Sequence, residues 1–165
     1  MPSQLPRRPF ALMLAVAFVL VACGPEINLP SASVDPGAEV PGSLQGLRLT
    51  TVAVGALELD VAVAETAGQR ATGLTGVDDL GALGGLLFVF PNAVETRFTM
   101  RDVPIALDIA FIDADGMVLA VVPMSVCEED PCPSYASPGP YRWAVETPAG
   151  GLAGVVPGDR LAIRP

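Results

Sequence analysis

The chain has 165 residues, enough for one domain with a leader and a linker and short for two independent cores. Its formal net charge is −9, from 9 basic and 18 acidic residues, so nucleic acid is excluded as a partner, because binding it relies on cations that displace counterions from phosphate. Every basic residue is arginine and histidine is absent, which removes Ser-His-Asp and Cys-His catalysis, lysine Schiff bases and histidine-containing metal sites. Carboxylate, tyrosine and thiol groups remain for proton transfer, and no metal, cofactor or catalytic residue is assigned.

Arg7 and Arg8 precede an apolar run from Phe10 to Ala22, the layout of a secretory signal. The run is shorter than the roughly 20 residues that a spanning helix needs. It ends in Leu20-Val21-Ala22-Cys23, which resembles a lipobox with Ala22 before the cleaved bond and Cys23 as the acylated residue. An acyl anchor supplies ~0.8 kcal/mol per buried CH₂. The acidic domain would be repelled by an anionic membrane surface, so lipid is the expected route to the membrane. These features predict a signal peptide over residues 1–22 and a lipid-anchored protein outside the cytoplasm. Gly24 follows the cysteine in place of an aspartate, which points to the outer membrane in a Gram-negative source. Residues 23–46 hold Pro25, Pro30, Pro36 and Pro41 without a periodic apolar pattern and read as a tether. The folded domain is expected over residues 47–165.

Leu57, Leu59, Val61 and Val63 alternate with Glu58, Asp60, Ala62 and Ala64, the period of a strand with one buried face. Gly55-Ala56 joins it to a preceding strand as a two-residue hairpin. Thr66 and Gln69 have capping-box spacing, and Gly73 suits the end of a short helix. Leu86 to Phe90 reads as a central strand, with another around Thr96 to Met100. Leu107, Ile109 and Phe111 alternate, and Asp113-Ala114-Asp115-Gly116 turns the chain into Met117 to Val122. That turn opens like a calcium loop, but position twelve would be Met124 rather than glutamate. Trp143 and Val145 give a further strand, Thr147-Pro148 is expected to cap a helical turn, and Leu161 and Ile163 form the last strand. The fold class is therefore mainly β, a single compact β-sandwich or barrel-like domain of about eight short strands with one or two short helical turns.

Cys127 and Cys132 are separated by four residues in an acidic, proline-bearing loop and are expected to form a disulfide in an oxidising compartment. The spacing is not C-x-x-C, and the neighbouring acids would raise a thiol pKa, against a redox or metal role.

Several motifs recur in a recognisable order: Arg70-Ala71-Thr72-Gly73-Leu74, Gly85-Leu86-Leu87-Phe88, Phe98-Thr99-Met100-Arg101, the run from Ile105 to Asp113, the run from Trp143 to Gly150, and Gly158-Asp159. From Val61 to Ile163 the chain resembles the domain of unknown function 192 family. The resemblance implies a compact β-sandwich or barrel-like fold and is compatible with a signal peptide. It departs at Thr75, where the family usually has methionine, and at Thr99, where it usually has tryptophan.

Asp108 and Glu146 alternate away from apolar strand neighbours and are expected to share a face with Arg70 or Arg101. Two carboxylates beside a guanidinium can fix loops as an ion-pair network, orient a ligand, or act as acid and base when their pKa values are pushed apart. The favoured function is a lipid-tethered envelope module that binds a small polar ligand or a protein partner through Arg70, Arg101, Asp108 and Glu146. The alternatives are a carboxylate-dependent hydrolase acting on envelope glycans and a carbohydrate-binding accessory domain using Tyr135, Tyr141 and Trp143.

Overall fold

The computed structural model describes residues 40–164. The expected signal peptide, Cys23 and most of the tether lie outside the described residues. Ordered packing begins earlier than residue 47. Leu44, in a single 3₁₀ turn over Gly42–Leu44, is buried in the core, because one leucine suffices to hold a short proline-flanked segment against an apolar surface.

Strands β1 (Arg48–Val54) and β2 (Leu57–Ala64) form the expected hairpin. Gly55 takes the positive φ of 60° that the first position of such a turn requires. Helix α1 (Ala67–Thr72) follows. Thr66 and Gln69 make a reciprocal capping box, and Gly73 closes the helix with its N–H on the Gln69 carbonyl. The helix belongs to the crossover that allows β3 (Gly85–Val94) to run parallel to β2. The strand is longer than its apolar run: it continues past Phe90 through Pro91, where the pairing shifts register and no donor is needed.

The remaining long strands are β5 (Leu107–Ile112), β6 (Val118–Met124), β8 (Tyr141–Pro148) and the short β9 (Leu161–Ile163). With β1 to β3 they form one seven-stranded sheet in the order β6-β5-β8-β3-β2-β1-β9, antiparallel at every pair except β2 and β3. The sheet curls until its edges meet. Met117 bridges Arg160, and the Val118 and Leu161 N–H groups donate to the Asp159 and Gly116 carbonyls, both at 2.8 Å. Two two-residue strands, β4 (Phe98–Thr99) and β7 (Ser134–Tyr135), form a separate ladder.

Both faces of the sheet are covered. Val52, Val54, Val61, Val63, Leu87, Ala110, Ile112 and Val145 fill the inside of the curl, with Leu152 and Val155 packed among them. On the outer face Ala62, Ala64, Leu86, Phe88, Leu107, Ile109 and Phe111 are covered by Leu74, Val77, Leu80, Met100 and Val103 from the connecting segments. The alternation in β2 therefore has two buried faces where it nears β3. Its alanines are small because loops, not water, lie over them.

Thr147-Pro148 does not start a helix. Both residues end β8, and Thr147 is fully buried with its hydroxyl donating to the Pro148 carbonyl. The Asp113 carboxylate accepts from the N–H groups of Asp115 and Met117, which makes this segment the expected hairpin turn. Among the described residues no group of acidic, cysteine or histidine side chains is arranged to hold a metal ion. Cys127 and Cys132 form the expected disulfide.

Candidate functional site

The outer face of the sheet carries a cleft of about 560 Å³. One wall is α1 with the turn after it, from Ala67 to Thr75; the other is the segment from Thr96 to Val103, which includes β4; Phe88, Phe90 and Glu146 of the sheet lie between them. The walls are tied together where the Gly76 N–H donates to the Asp102 carbonyl at 2.8 Å, with Asp102 in the left-handed region at φ 59°. Phe98 fixes the second wall to the sheet through edge contacts with Phe88 at 5.0 Å and Phe111 at 5.7 Å. Tyr141 sits beneath them, fully buried, and donates its hydroxyl to the Thr96 carbonyl at 2.9 Å.

Glu146 is 5% exposed and lines the cleft. Its neighbours across the ladders are Leu86 and Ile109, both fully buried. Gly85 lets β3 approach here, since a Cβ at that position would collide with the Glu146 carbonyl oxygen. Burial pushes the carboxyl up to about 8, and no charge or hydrogen bond opposes the shift. The group is therefore a neutral acid at pH 7. Among the described residues none hydrogen-bonds or ion-pairs with this carboxyl, which keeps a small exposure where it lines the cleft.

Arg70 lies at the cleft with its guanidinium 4.9 Å from the Phe90 ring centre. Its Nη1 donates to the carbonyls of Glu65 at 2.7 Å and Val89 at 2.9 Å, so the side chain is held in place while its charge meets no carboxylate among the described residues. Arg101 also lines the cleft but is paired with Asp130 at 2.7 Å in the disulfide loop. Asp130 raises its pKa, first as a hydrogen-bond acceptor and then through its charge. A third arginine, Arg97, was not singled out by the sequence. It lines the same cleft and donates to the Ser134 hydroxyl at 2.8 Å. Nothing in its local pattern marks it, because β4 and β7 are too short to show a period.

Asp108 is not part of this site. It pairs across the ladder with Thr147 while Ile109 pairs with Glu146, so Asp108 and Glu146 point to opposite faces of the sheet. Its carboxylate accepts from the Gly150 N–H at 2.7 Å and fixes the turn after β8. Of the four residues expected together, Arg70, Arg101 and Glu146 lie around one cleft with Arg97 beside them, while Asp108 lies on the opposite face of the sheet. The aromatic residues considered for sugar stacking form no open platform either: Tyr141 is in the core, Trp143 is half-buried against the inner cluster, and Tyr135 accepts from the Ser125 N–H.

A family model matches residues 50–163, covering most of the described domain. The chain belongs to the DUF192 family. That family carries the description Uncharacterized ACR. Two solved structures share the fold. A candidate transcription regulator from Sinorhizobium meliloti 1021 is 27% identical with a TM-score of 0.64, over 71% of this chain and 95% of its own. A protein of unknown function from Novosphingobium aromaticivorans DSM 12444 is 26% identical with a TM-score of 0.63, over 76% of this chain and 91% of its own. A comparison with curated proteins finds no match. Thr75 and Thr99, where the DUF192 resemblance leads one to expect methionine and tryptophan, both line the cleft, and their smaller side chains leave it more open.

Proposed function

We propose that this DUF192 protein is a ligand-binding module of the cell envelope, held to a membrane by acyl chains on Cys23, and that its cleft takes a small molecule over Glu146. The observation that carries the reading is a carboxyl set in an apolar wall that lines the cleft and meets no hydrogen-bond or ion-pair partner among the described residues. A carboxyl that served only the fold would be paired within it or replaced by an apolar residue, because holding it in an apolar wall is costly. Here the missing partner is what a ligand supplies, in a concave, aromatic-lined space with a few polar groups, the usual make-up of a small-molecule site. A two-carboxylate hydrolase is disfavoured, since Asp108, the acid expected to work with Glu146, faces the other way. Regulation of transcription, the role in the name of the Sinorhizobium relative, has no support in so acidic a chain.

A screen of ring-bearing fragments by thermal unfolding of the purified protein tests the cleft. A fragment present at 100 times its dissociation constant should add about 2.7 kcal/mol. The exposed Thr99→Trp substitution should block the cleft and abolish the gain; no stabilising fragment, or gains that survive the substitution, would refute the reading. The anchor is tested separately with a fatty-acid analogue, which should label the wild type and not Cys23→Ser.

A further inference from the structure

We infer that the ligand is a small organic anion with two polar ends. Its apolar body lies on Phe88, Phe90 and Phe98, its anionic group meets the unpaired arginines Arg70 and Arg97, and an oxygen acceptor at the buried end takes a hydrogen bond from Glu146. This rests on the cleft being a ligand site and names the chemistry that fits it.

The charge distribution comes first. Between residues 40 and 164 acids outnumber arginines, yet Arg70, Arg97 and Arg101 line the cleft against only Asp102 and Glu146 among the acids. Arg101 is neutralised by Asp130. Among the described residues no carboxylate lies within ion-pair distance of Arg70 or Arg97, and their hydrogen bonds go to carbonyl and hydroxyl oxygens, which orient the guanidinium groups without cancelling their charge. With Glu146 neutral, the cleft is a positive spot on an acidic protein, and such a cleft focuses field on an incoming anion.

The second point is separation. Arg70 is tied to the Val89 carbonyl, whereas Glu146 stands opposite Leu86, three residues earlier on β3 and so about 10 Å along the strand. Arg70 and the acid therefore mark two separate ends of one cavity. Arginine forks recognise carboxylate and similar oxyanions; a neutral carboxyl with nothing to donate to recognises a carbonyl, ether or hydroxyl oxygen. The aromatic rings that line the cleft, Phe88, Phe90 and Phe98, suit a planar or short aliphatic body.

The test uses three matched probes on the ¹⁵N-labelled full chain, followed by amide chemical shifts near neutral pH. 4-Acetylbenzoate has the ring, the anion and the ketone; 4-acetylbenzamide lacks the charge; 4-isopropylbenzoate lacks the acceptor. 4-Acetylbenzoate should shift the amides of residues 70–75 and 96–103 and bind about tenfold tighter than either control, the effect of one buried or charge-assisted hydrogen bond. Glu146→Leu should erase its advantage over 4-isopropylbenzoate, and Arg97→Gln should reduce its advantage over 4-acetylbenzamide. If the three probes bind equally, or if the cleft takes neutral fragments and rejects 4-acetylbenzoate, the inference is overturned while the ligand site stands. If no fragment of any kind reaches these amides, both fall.

Discussion

Replacing Glu146 by glutamine should change how the stability of the protein depends on pH more than it changes stability at any one pH. In the folded protein burial lifts the carboxyl from 4.5 to about 8, while in the unfolded chain it ionises at the ordinary value. Between these limits the native state holds one proton more than the unfolded state, so stability falls as pH rises, and the loss levels off above pH 8. The slope is about 1.4 kcal/mol per pH unit. From about pH 5 to about pH 8 the wild type should therefore lose about 3 kcal/mol that Glu146→Gln, which has a similar shape and no proton to release, does not lose. Urea denaturation of both proteins across that range, with the disulfide intact, measures the difference, and every other titrating group cancels on subtraction. Parallel curves would refute the reasoning: they would mean that Glu146 is ionised in the folded protein and that water or a cation reaches it.

Asp108 is expected to matter less than a buried ion pair would. Asp108→Ala removes one charge-assisted bond to the Gly150 N–H and should cost about 1.5–3 kcal/mol in urea denaturation, while Asp108→Asn keeps an acceptor and should cost less. Replacing Cys127 and Cys132 by serine should lower stability by about 2 kcal/mol, the chain-entropy value for so short a loop. It should also weaken binding in the cleft, because Asp130 of that loop holds Arg101 and Ser134 just beyond it holds Arg97; titration calorimetry with a fragment from the thermal screen reads the second effect.

The strands with an alternating pattern were legible because period 2 survives whenever one face is more apolar than the other. The hairpins at Gly55 and at Asp113 were legible because their turns need particular residues. Three features escaped. The second buried face of β2 is lined by Ala62 and Ala64, and alanine reads as neutral in any pattern. The end of β8 at Thr147-Pro148 mimics a helix start locally, and only its burial between β5 and β3 decides otherwise. The facing of Asp108 and Glu146 depends on the β5–β8 register. Alternation within each strand says that a residue opposes its own neighbours, and it is silent on which residues of two distant strands lie side by side. Arg70, Arg101 and Glu146, expected to share a face, do line one cleft. Arg97 sits in an irregular segment, and only the fold brings it beside them.

Closure of the sheet through Met117 and Arg160 reaches beyond core packing. An open sheet ends in rows of unsatisfied N–H and C=O groups, to which a neighbouring chain can add a strand. Here the two rims face each other, and β9, three residues long, is the stave that brings them together. The contact covers the start of β6, where Gly116 to Val118 meet Gly158 to Leu161, and leaves the rest of that strand paired on one side. Without the segment from Gly158 to Ile163, the start of β6 and the end of β1 would both become open edges to which another strand could add.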